Sequence, residues 1–66
     1  MIHHYYFIEN NTGEEFIMGA DTLEQAKIMA ESIAADIAEY YGETPDLSYE
    51  YEMTDDEAEA SGLDEY

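Results

Sequence analysis

Six of the ten residues from Glu50 to Glu59 are acidic: Glu50, Glu52, Asp55, Asp56, Glu57 and Glu59. Carboxylates this dense can pair with guanidinium and ammonium groups, coordinate a hard cation, or move protons as general acid and base. The spacing argues against a cation site, because the Asp-x-Asn/Asp-x-Asn/Asp-Gly order of a calcium loop is missing. His3 and His4 do not supply one either. They are adjacent in an extended segment, so their rings point to opposite faces. Catalysis finds no support. The chain has no Cys and no Ser set with His and Asp in a hydrolase pattern, and nothing selects two of its many carboxylates as acid and base. The expectation is a protein that is not an enzyme and uses no cofactor and no metal, leaving charge pairing as the chemistry of the acidic array.

The whole chain points the same way. Eighteen Asp and Glu stand against a single basic side chain, Lys27, for a net charge of −17 in 66 residues. Self-repulsion at that charge opposes compactness, and solubility is served by far less. Asp21, Glu24, Asp55, Asp56 and Glu57 have a local reason, since each favours a helix N-terminus by roughly 0.3–1 kcal/mol. Glu31, Asp36, Glu39, Glu43, Asp46, Glu50 and Glu52 have none. Phosphates would repel such a chain, which excludes direct binding to nucleic acid and to anionic membranes. Its natural partners are basic proteins, above all the grooves in which they hold nucleic acid. Carboxylates at fixed spacing can stand in there for backbone phosphates.

These residues need a scaffold. Residues 2–9 are aromatic and β-branched and read as a strand, followed by a turn at Asn10-Asn11-Thr12-Gly13 with a left-handed glycine and a returning strand over 14–20. Thr22-Leu23-Glu24-Gln25 is a capping box opening a helix that runs to about Tyr41 and stops at Gly42. Leu23, Ala26, Ala30, Ile33, Ala34, Ile37 and Tyr41 share its apolar face, with Glu24, Glu31 and Glu39 opposite. Residues 47–53 alternate, which predicts Leu47, Tyr49, Tyr51 and Met53 on the core side. Glu50 and Glu52 then point out together, about 7 Å apart. Thr54-Asp55-Asp56-Glu57 is a second capping box for a short helix ended by Gly62.

The order ββαβ(α) predicts an α+β fold with a split β-α-β unit: a three-stranded antiparallel sheet of order 2-1-3, one long helix on one face, and a short C-terminal helix. A single domain over 1–62 with a fraying acidic tail at 63–66 follows. The first strand is apolar at both parities, and either parity could face the helix. One helix covers one face, so the other is expected to be an open aromatic patch or an interface. Tyr5 and Phe7, or Tyr6, would lie on it beside the carboxylates. The expected partner-binding set is Glu50, Glu52, Asp55, Asp56, Glu57, Glu59, Tyr5 and Phe7, with Glu24, Glu31 and Glu39 as a second row. Lys27 is expected to pair with Glu24 or Glu31 at helical spacing. The lack of Cys, of a signal-peptide n-region and of an apolar run of about 18 residues suggests a cytoplasmic protein.

From its Tyr-rich first strand through Asp-Thr-Leu-Glu-Gln-Ala to Thr-Asp-Asp-Glu-Ala-Glu-Ala-Ser-Gly-Leu-Asp, the chain resembles small acidic proteins of phages and mobile elements. Anti-CRISPR proteins and other DNA mimics belong to that group. The resemblance implies an inhibitor whose exposed carboxylates occupy the basic nucleic-acid-binding surface of a nuclease or similar target. Locally, Gly19-Ala20-Asp21-Thr22-Leu23-Glu24-Gln25-Ala26 is similar to the strand-to-helix junction of HicB-type antitoxins, although that family's Pro-Asp-Leu-Pro-Gly stretch is missing. It implies binding to a small ribonuclease. A reading of another class is a subunit or homodimerising module that works through the open aromatic face.

Overall fold

Strand β1 (His3–Glu9) is the middle of the sheet, and it is apolar on both sides, with Tyr5, Tyr6 and Phe7 all buried. A computed structural model describes all residues, 1–66, and pairs β1 antiparallel with β2 (Glu15–Ala20) on one edge and β3 (Leu47–Met53) on the other. The hairpin between β1 and β2 turns at Gly13, whose φ of 77° lies in the left-handed region. The expected sheet order, 2-1-3, is the observed one.

Helix α1 (Leu23–Tyr41) begins where the Thr22 hydroxyl accepts the Gln25 amide at 3.2 Å and ends at Gly42 in a left-handed cap. The Gln25 side chain reaches one residue further back than a capping box requires and accepts from the Asp21 amide. Helix α2 (Asp55–Ser61) has the full reciprocal box between Thr54 and Glu57.

Two small cores lie on opposite faces of the sheet. Tyr5, Phe7, Phe16, Met18 and Ala20 pack under α1 against Ala26 and Ala30. Tyr6, Ile17 and Met53 form the second core, closed by Ile8, Ala58 and Leu63. The second face is therefore covered by α2 and the tail, and the expected open aromatic patch is not there. Tyr5 and Phe7, expected among the contact residues on that patch, have the parity that meets α1. They are only 6% and 2% exposed.

The register of β1 with β3 slips between Tyr6, opposite Tyr51, and Phe7, opposite Tyr49. Glu50 is the extra residue, and this bulge reverses the alternation of β3. Leu47 and Tyr49 join the α1 core while Met53 joins the other, so the four apolar residues of β3 do not share one side. Tyr51 lies on the Tyr6 ring at 5.0 Å and stays half exposed.

The tail is not frayed. Glu65 forms a parallel bridge with Ile17. The Tyr66 amide donates to the Ile17 carbonyl and its carbonyl accepts from the Gly19 amide, both at 2.8 Å. The Tyr66 ring packs 5.8 Å from Phe16. The middle of the outer edge of β2, from Ile17 to Gly19, is thereby covered where it would otherwise present unpaired backbone groups.

Candidate interaction surface

Every acidic residue except Glu9 is exposed. Glu9 shows why. A carboxylate survives burial only when donors surround it, and this one accepts from the Asn11, Thr12 and Asp46 amides at 2.9, 3.1 and 2.8 Å and from the Asn11 side chain at 3.3 Å. Burial pushes its pKa up, but the amide hydrogen bonds outweigh burial and hold it below the usual range. Asn10 ties the same two loops together through Asp46 and Ser48. Nothing in the residue types marked Glu9 as structural. The available signal was its place at a strand end before Asn-Asn-Thr-Gly, where successive amides turn inward.

The predicted acidic array is divided. Glu52 lies on the α1 side and contacts His3 at 2.8 Å. Glu50 is the bulged residue and its charge adds the least of the causes that raise the Tyr6 pKa, so the bulge takes it out of the regular alternation that set it beside Glu52. The larger causes at Tyr6 are its 2.7 Å hydrogen bond to Glu15 and its burial, and together these push it up to about 12. Asp55 is held by His4, and Glu57 by the Thr54 amide. Glu50, Asp56 and Glu59 keep carboxylates with no hydrogen bond or ion pair. Glu24, Glu31 and Glu39 are likewise free and exposed on α1, Glu31 at the border of the groove that the helix forms with β3. Their spacings of seven and eight residues put them about 10 and 12 Å apart along a helix about 28 Å long. The α1 row and the α2 cluster sit on opposite sides of the sheet, so one flat surface cannot meet both.

Lys27 forms no ion pair with Glu24 or Glu31, contrary to expectation. The ion pairs present engage only the amino terminus, with Asp21, and the two histidines. Lys27 instead borders an open groove of about 340 Å³ between α1 and β3, floored by Phe7, Ala30, Leu47 and Tyr49. Small Ala side chains at 30 and 34 leave this space unfilled.

His3 and His4 do face opposite sides. His4 joins three elements: its Nε2 meets Asp55 of α2 at 2.6 Å and its Nδ1 meets Glu65 of the tail. Both nitrogens can donate only in the imidazolium form. The Glu65 hydrogen bond raises the His4 pKa above its ordinary value, burial opposes, and Asp55 adds to the rise; Glu59 lines the same hollow. A raised native pKa means the clamp is complete below pH 6.5 and lost as pH climbs through the native value. Hydrogen-exchange protection of the Gly19 and Tyr66 amides should fall about threefold to tenfold across that rise. In His4→Gln it should stay flat. Equal pH dependence in both proteins would refute the clamp.

No helix is long and apolar enough to cross a membrane. Compared with family models, with curated proteins and with solved structures, the chain shows no match in any of the three.

Proposed function

We propose that this protein is a non-enzymatic acidic binder that occupies a Lys- and Arg-rich nucleic-acid-binding surface of a partner protein, as a DNA or RNA mimic of the anti-defence type. The observation that carries the reading is the row Glu24, Glu31 and Glu39. It consists of unpaired carboxylates held on a helix braced by the sheet, on a chain whose one Lys pairs with nothing. Preorganised charges of this kind steer association and match guanidinium donors without first breaking internal ion pairs. The covered second face leaves no broad aromatic patch for a dimerising module. The α2 cluster contributes less, because Asp55 and Glu57 are already engaged.

The test is capture of partners on immobilised protein, eluted by a salt gradient and by competing DNA or RNA. A nucleic-acid-handling protein released by both is the expected result. The triple variant Glu24→Gln, Glu31→Gln, Glu39→Gln should then bind it about tenfold or more weakly, with a shallower salt dependence. The matched variant Glu50→Gln, Asp56→Asn, Glu59→Gln should bind nearly as the parent does. The opposite ranking would move the contact to the α2 side. A partner indifferent to salt and to nucleic acid would sink the mimicry reading.

A further inference from the structure

We propose that the overhanging end of α1 is a docking point for an arginine side chain presented by a basic segment of the partner, an inference that rests on the acidic-binder reading above. Helix α1 outruns the sheet. Its buried residues, Ala26 and Ala30, lie in its first half, whereas Tyr40 and Tyr41 are 84% and 74% exposed. Tyr41 follows Ala30 by eleven residues, which turns it only about 20° away on the helix. It therefore has the direction of a core residue, yet it stays exposed over the end of the sheet, with a hollow between it and Phe16. This is why the apolar face that the sequence carries through to Tyr41 stops being buried earlier. The two rings hold each other edge-on at 5.0 Å.

Beneath Tyr41 is a hollow of about 230 Å³, bounded by the β1–β2 loop and by Thr44 and Pro45. Glu9, whose carboxylate is already held by amides, lines it too; Tyr41, Ile37 and Phe16 supply its apolar lining, and Glu14 and Glu43 its free carboxylates. Neither carboxylate takes part in an ion pair, and no cation lines the space. The last turn of α1 also lacks a basic residue, so the partial negative charge of its final carbonyls is uncompensated. Aromatic face, paired acids and a helix C-terminus all favour a cation.

The chemistry distinguishes among occupants. A guanidinium can stack flat on a tyrosine and bond a carboxylate through two parallel N–H groups, while an ammonium is a compact, strongly hydrated charge. A second copy of this chain would bring another eighteen acidic residues to the contact and only Lys27 to offset them. An uncharged apolar peptide would leave Glu14 and Glu43 without partners beside it.

The experiment is titration of isotope-labelled protein with hexa-arginine and with hexa-lysine at matched salt, followed by NMR. The expected result is shift changes concentrated at residues 13–16 and 41–44 and an arginine preference of about threefold or more. Tyr40→Ser with Tyr41→Ser should abolish that preference while leaving the fold intact, because both rings are exposed. Equal binding of the two peptides, with shifts spread over the outer face of α1 and unaffected by the variant, would overturn the arginine site. The acidic-binder reading would survive that result, since it stands or falls on salt release and nucleic-acid competition. Concentration-dependent self-association lost in the variant would make a second copy the occupant and also overturn it.

Discussion

Glu9→Ala is expected to lower the melting temperature by roughly 10–20 °C, or to remove the cooperative transition altogether. The side chain is 5% exposed and is the common acceptor for three backbone amides and one side-chain amide from two separate loops. Truncation would leave those donors facing a space closed to water, and buried unsatisfied donors cost more than their hydrogen bonds contribute. Glu9→Gln is expected to fall between, because its amide group replaces one accepting oxygen with a donor. The pH dependence identifies the cause. A carboxyl with a depressed native pKa stabilises fully above its usual value near 4.5, and that stability is lost as pH falls through the native value. Acidification also reduces the net charge and eases self-repulsion. An acid limb that is steep in the parent and shallow in Glu9→Gln would therefore point to this one group. Thermal unfolding followed by circular dichroism across the acid range supplies the comparison, and parallel acid limbs would refute it.

Ile17→Ala and Met18→Ala are expected to cost about 2–5 kcal/mol each, against a total of roughly 3–10 kcal/mol for a chain of this size. The neighbours are 1% and 0% exposed and point to opposite sides of β2. Met18 belongs to the larger core beneath α1, so its loss should unfold the sheet and α1 together. Ile17 anchors the smaller core, to which α2 brings Ala58 and the following segment brings Leu63. Its loss should free α2 and the tail first and leave the hairpin and α1 protected. Hydrogen exchange separates the two outcomes. Uniform loss of protection in Ile17→Ala would show that the α2 layer is not an independent unit.

The elements were legible because their signals are local. Thr22 and Thr54 as N-caps, Gly42 and Gly62 as left-handed stops, and the two-sided apolar pattern of β1 gave the helices, their ends and the strand order. What was not legible depends on pairing between distant parts of the chain. The alternation of Leu47 to Met53 is regular, and only the register against β1 places a bulge at Glu50 and breaks the alternation that would send Glu50 and Glu52 to one side. Asp64, Glu65 and Tyr66 carry no sign of order, since their partners are backbone groups of β2 and one histidine at the other end of the chain. Tyr41 has the periodicity of a buried residue, and no helical pattern records where the sheet beneath it stops. The acidic site was legible as charge and illegible as geometry, because the sequence does not say which carboxylates the two histidines and the helix caps engage.

The central position of β1 imposes an order of assembly. Its β2 edge is reached through a short loop, and hairpins of this kind close in about 1–10 μs. Its β3 edge and the tail contact require strands from far along the chain, across the whole of α1, and such non-local closures are slow. A chain emerging from synthesis therefore holds this strand half paired until Leu47–Met53 has been made. An unpaired strand edge in that interval is a template for aggregation. Here the hairpin carries Glu9, Glu14 and Glu15 from the start and gains the charges of α1 once that helix has been made, and two copies meeting at that edge repel before their backbones can pair.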